Sequence, residues 1–106
     1  MRVPPATWRQ VFRRDNGICQ YCGVDLLSSF SSYWSATVDH VLAVSAGGGD
    51  KIENLKLACP ACNGILSRSA QRATFPERKS YVQERIMEEA EGYQEWLNEL
   101  RGRNDP

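Results

Sequence analysis

The sequence predicts a small α+β fold: two short strands around a glycine loop, then a helix, braced by two cysteine pairs and flanked by further helices. Three observations predict it. Four cysteines fall as two Cys-x-x-Cys pairs, Cys19/Cys22 and Cys59/Cys62, with 36 residues between them. Two short β-prone runs bracket Gly47-Gly48-Gly49. A long amphipathic helical pattern with start and stop signals follows the second pair.

Taking the elements in order, residues 6–15 read as a helix. Trp8, Val11 and Phe12 share one face, and Asn16-Gly17 supplies the stop. Cys19-Gln-Tyr-Cys-Gly23 reads as a knuckle whose glycine permits the tight turn two neighbouring thiolates need, with Tyr21 as packing. Residues 24–35 form a Ser-rich loop carrying Phe30, Tyr33 and Trp34. These aromatics suit core packing better than the alternative, a stacking or wedge surface for bases. Residues 36–42 form a β-branched strand, 45–50 a glycine loop and 54–58 a second strand. Pro60 opens a helix over 60–70.

The last helix starts at a Thr74-x-x-Glu77 capping box with Pro76 just inside it, and Gly102 closes it. Val82, Ile86, Tyr93, Trp96, Leu97 and Leu100 form its apolar stripe, which reads as packing rather than a partner groove.

With 106 residues, 42% hydrophobic and 25% charged, the chain fits one domain over 1–106, its core at about 13–70 and its C-terminal helix at about 75–102. Such a domain is marginal in stability, so a metal clip would help. No signal peptide or membrane-spanning run is apparent, so the expected location is the cytoplasm, including the nucleoid or a phage-infected host. The net charge is zero but unevenly spread. Residues 1–75 carry eight Lys/Arg against five Asp/Glu, and residues 76–106 the reverse, five against eight. The first part suits a modest, salt-sensitive grip on phosphates; the acidic helix is a surface for a protein partner.

Four thiolates are what a tetrahedral structural Zn²⁺ takes, and they leave no open coordination position. A disulfide framework is the alternative, but it belongs to secreted, loop-rich chains, and a redox motif needs only one pair. The residues between and beside the cysteines carry the chemistry. Phosphodiester hydrolysis with one metal needs a general base, a cation on the leaving oxygen, and something to hold the base. His40 is the single histidine, with Asp39 before it. Asn54 begins the second strand and Asn63 follows Cys62. Their bland readings are a core histidine, a turn carboxylate, a loop-capping Asn and a knuckle-capping Asn.

Asp39-His40, Asn54 and Cys59-x-x-Cys62-Asn63 resemble the HNH endonuclease family, with its ββα-metal core. Arg14-Asp15-Asn16-Gly17, Gly47-Gly48 with Asp50, and Asn54-Leu55 strengthen the likeness, which spans residues 13 to about 68. The resemblance implies a metal-dependent endonuclease acting on DNA, most naturally double-stranded. His40 would be the base activating water, and Asn54 would fix the loop and orient His40. Asp39 and Asn63 would hold catalytic Mg²⁺ or Mn²⁺, and Cys19, Cys22, Cys59 and Cys62 the structural zinc. Arg13, Arg14, Lys51, Lys56, Arg68 and Arg72 are candidate phosphate contacts, or solvated surface charges.

This chain departs from the family pattern at Ser67, where some members have a further His, at Ala43, where many have Pro, and near Ala46, where many are basic. The alternative function is a catalytically inactive, zinc-stabilised nucleic-acid-binding module.

Overall fold

The computed structural model describes residues 3–68 and 74–102. Helix α1 spans Pro5–Arg14, with Pro at its start and two arginines in its last turn, where cations meet the negative end of the helix dipole. It buries Val11 completely and leaves Trp8 and Phe12 partly covered. The chain turns at Asn16 and Gly17, both with left-handed φ (57° and 68°), and enters the first cysteine knuckle. The Ser-rich stretch read as a loop contains a six-residue helix, α2, over Phe30–Ser35. Ser29 caps it by accepting from the Ser32 N–H.

Strand β1 (Thr37–His40) and strand β2 (Leu55–Ala58) pair antiparallel, with His40 opposite Leu55 and Asp39 opposite Lys56. Both strands are shorter than the sequence reading. His40 ends β1 because the chain then bends into the glycine loop, which carries two single-turn 3₁₀ segments, Val44–Ala46 and Ile52–Asn54.

Helix α3 (Pro60–Ser67) follows β2, capped by the Cys59 sulfur. Helix α4 (Phe75–Leu100) opens on the capping box: Thr74 receives the Glu77 N–H, and Glu77 receives the Thr74 N–H. The core lies between α1, the knuckle, β2, α3 and the start of α4, centred on Val11, Tyr21, Leu55, Leu57 and Val82.

Only the first turns of α4 join this core. Arg78 and Val82 are buried, whereas Tyr93, Trp96 and Leu100 are exposed, so beyond Ile86 its stripe is not intramolecular packing as expected. The 26 residues reach about 39 Å at 1.5 Å per residue, longer than the two-strand unit can cover.

Candidate functional site

The cysteine cluster is built by two backbone devices. In the first knuckle, the Cys19 N–H reaches the Val24 carbonyl and the Gly23 N–H reaches the Cys19 carbonyl, closing a turn with Gly23 at φ 84°. The second pair lies at the α3 N-terminus, where the Cys62 N–H points at the Cys59 sulfur at 3.5 Å. The Gln20 N–H bonds the Leu57 carbonyl at 2.9 Å, tying the knuckle to β2.

All four Sγ atoms lie within 4.8 Å of one another, and Cys22 and Cys59 are 3.8 Å apart. A tetrahedral zinc with Zn–S near 2.3 Å requires sulfurs about 3.8 Å apart, whereas a disulfide would need about 2.05 Å. The thiols' own electrostatics agree. Hydrogen bonds from Cys59 and Cys62 hold Cys19 far below the usual thiol range. Contacts with Cys19 and Cys59, together with burial, push Cys62 far above it, and burial pushes Cys22 up to about 11. Four thiolates this close repel one another, and a divalent ion is what allows them at this spacing. These cysteines are positioned to form a metal site, and the donor set fits zinc.

Beside it, β1, α2, the loop after β1 and α3 wall an open cleft of about 950 Å³. Asp39, His40 and Asn63 all line it. Neighbours on a strand normally face opposite ways; His40 escapes because it is the last residue of β1. Its Nε2 bonds Asp50 Oδ1 at 2.7 Å across the glycine loop. A carboxylate oxygen only accepts, so Nε2 carries a proton, and in the neutral ring Nδ1 is then the nitrogen with the lone pair.

Asn54 binds the two ends of that loop. Its Oδ1 accepts from the Leu42 N–H at 2.9 Å. Its Nδ2 donates to the Leu42 carbonyl at 3.0 Å and the Gly49 carbonyl at 2.9 Å. Its own carbonyl accepts from Val41 N–H at 2.9 Å. The direct partner of His40 is therefore Asp50, and Asn54 holds the segment on either side. Gly48 is required here: a Cβ would sit 1.7 Å from the Leu42 carbonyl oxygen.

Asp39 is buried, and each of its oxygens has a partner. Arg78 Nη2 donates to Oδ1 at 2.7 Å, and the Tyr21 hydroxyl donates to Oδ2. Arg78 Nε also donates to the Tyr21 oxygen at 3.3 Å. Burial and the neighbouring carboxylate push the Tyr21 phenol well above its ordinary value, which keeps it a donor. Burial opposes the Arg78 charge, but the bonds to Tyr21 and Asp39 outweigh that and raise its pKa.

Sequence reasoning missed Arg78, and it read Tyr21 only as knuckle packing. The available signal was a charge four residues before Val82, on the stripe that otherwise enters the core.

The candidate phosphate contacts separate. Arg14 is committed internally, to Asp15 at 2.8 Å, to the Ile52 carbonyl at 2.7 Å and to the Leu55 carbonyl. Asp15 in turn accepts from the Leu57 N–H at 2.9 Å, so the pair struts β2. Lys56 lies 4.7 Å over the Phe75 ring. Arg13, Lys51 and Arg68 are exposed, and Arg72 lies outside the described residues.

A two-strand, one-helix unit with a four-thiol clip beside a His, Asp and Asn cleft has the layout of a ββα-metal core. Residues 19–69, just under half of the chain, match the family model described as HNH endonuclease. No curated protein matches the chain in sequence. Among the described residues, no helix is long and apolar enough to cross a membrane.

Proposed function

We propose that the protein is a metal-dependent endonuclease that hydrolyses DNA phosphodiester bonds, with His40 as general base. The observation that carries this reading is the convergence of His40, Asp39 and Asn63 on one open cleft within a segment matching the HNH family. The donors fit a hard cation: a carboxylate and an amide oxygen are what Mg²⁺ or Mn²⁺ takes, keeping its remaining sites for water and phosphate. Each Asp39 oxygen retains a second lone pair beyond its bond to Arg78 or Tyr21. Asp39 and Asn63 would hold the ion, which supplies charge stabilisation at the leaving 3′-oxygen.

The chain's own residues do the rest. Asp50 fixes the His40 tautomer, so that Nδ1 can take a proton from the attacking water. Asn54 keeps the loop, and with it Asp50, in register with β1. The four cysteines clamp the α3 N-terminus and so set where Asn63 sits, its N–H bonded to the Cys59 carbonyl at 3.0 Å. Double-stranded DNA is the substrate of this reading, held through exposed cations such as Arg13, Lys51 and Arg68.

Plasmid incubated with Mg²⁺ or Mn²⁺ is expected to be nicked, and His40→Ala to lose about 10²- to 10⁴-fold of that activity with the fold intact. Wild-type activity in His40→Ala would overturn the mechanism.

One observation favours a second reading, an inactive zinc-stabilised nucleic-acid-binding module: Arg78 already supplies Asp39 with a positive partner, at 2.7 Å. That reading predicts DNA binding with no turnover in any divalent metal.

A further inference from the structure

Helix α2 presents two large aromatic rings that the core does not use. Phe30 and Trp34 stack on each other, centroids 5.7 Å apart and planes 25° apart, yet remain 72% and 75% exposed. Tyr33 stands behind Phe30, ring centroids 6.5 Å apart. Tyr33 packs on Phe12 at 5.3 Å, and Phe12 on Trp8 at 5.1 Å, so a ladder of rings runs from α1 to the outer pair. Ser29 fixes the start of the helix. A large exposed aromatic pair is a costly surface to leave facing water.

Two features say what covers it. The platform meets the cleft through Trp34, which with Tyr33 lines the same opening as Asp39, His40 and Asn63, while Phe30 stacks on Trp34 outside it. It is also free of charge. Residues 26–38 contain no Asp, Glu, Lys, Arg or His in a chain that is 25% charged, so no carboxylate of the platform's own segment repels a phosphate strand passing over it. Rings backed in this way offer π-faces and few hydrogen-bonding edges. That chemistry matches a nucleobase whose face is open, and base–aromatic stacking is tolerant of sequence. In an intact duplex base faces are covered by their neighbours, and only the groove edges show.

We infer that Phe30 and Trp34 are a stacking platform for an unpaired nucleobase next to the phosphate in the cleft. The preferred substrate is then DNA with locally unpaired bases, such as a gap, flap or bulge, rather than a perfect duplex. This rests on the nuclease reading for its substrate and departs from that reading's expectation of plain double-stranded DNA. It also replaces the packing role expected for these side chains.

The test measures anisotropy of labelled oligonucleotides with His40→Ala protein in Mg²⁺, which holds substrate without turnover. One duplex is fully paired and one carries a short single-stranded gap. Tighter binding of the gapped DNA is expected, with Trp34→Ala or Phe30→Ala weakening it about 5- to 150-fold and leaving the paired duplex unchanged. Both side chains are exposed, so the variants should fold, and circular dichroism checks it.

Equal binding of the two DNAs, or an unchanged preference in both variants, would overturn the platform. So would an equal loss on both DNAs, which would mark a general adhesive patch. Plasmid nicking by wild type is scored separately. Nicking with no effect of Trp34→Ala sinks the platform alone. Selective gap binding without nicking sinks the nuclease reading alone.

Discussion

Replacing Arg78 with Ala removes the counter-charge of a carboxylate that has almost no water to fall back on. Arg78 and Asp39 are 7% and 6% exposed, and they meet at 2.7 Å. Removing one partner of such a pair leaves a buried charge uncompensated, at about 3–5 kcal/mol. The loss also strips Tyr21 of a donor, although that hydroxyl keeps its bond to Asp39.

Against a total stability of about 5–15 kcal/mol this is a large fraction, and at about 4 °C per kcal/mol for a domain of this size it lowers Tm by roughly 12–20 °C. Thermal unfolding followed by circular dichroism in zinc-containing buffer measures it. A double-mutant cycle with Asp39→Asn assigns it, because neutralising the carboxylate first should remove most of the cost of Arg78→Ala. A loss below about 1 kcal/mol, or full additivity in the cycle, would refute the reasoning and make the contact equivalent to a surface pair. The same contact means that a fragment ending before α4, though it holds the whole matched segment, lacks the counter-charge of Asp39.

Three further outcomes follow from the site. Cys62→Ser should lower bound zinc from one equivalent towards none by atomic absorption and unfold the domain, as should a strong chelator. Metal release should deepen as pH falls, since protons compete for the thiolates. Gly48→Ala forces backbone to move away from the Leu42 carbonyl. It should cost about 1–3 kcal/mol in denaturant unfolding, with faster hydrogen exchange at the Leu42 amide as the Asn54 latch loosens. Asp50→Asn lets Nε2 of His40 accept rather than donate and so frees the tautomer. Nicking should fall by at least about tenfold with the melting temperature nearly unchanged, because Asp50 is on the surface. Retained wild-type nicking in Asp50→Asn would remove Asp50 from the machinery.

Much of this molecule was written in short spacings. The two Cys-x-x-Cys pairs announced the metal site because two thiolates three residues apart are brought together by one turn of backbone, whatever surrounds them. The Thr74/Glu77 capping box closes within four residues, and it forms as read. The strand, glycine loop, strand and helix order follows from β-branched runs, three glycines and a proline, each acting on its own φ and ψ.

What tertiary structure alone decided is which side chains the core accepts. Arg78 reaches Asp39 across 39 positions and Arg14 reaches Leu55 across 41, so the partner of neither can be read from a local pattern, even where the stripe of α4 places Arg78 on the core side. Phe30 and Trp34 look like core residues by type, but α2 sits at the cleft rim with its outer pair in solvent. The stripe of α4 has the period of a packed helix, yet the two-strand unit is too short to cover it. Local hydrogen bonding and ligand spacing are determined by neighbours along the chain. Burial depends on what arrives from elsewhere, and in so small a domain there is not enough surface to bury every apolar face.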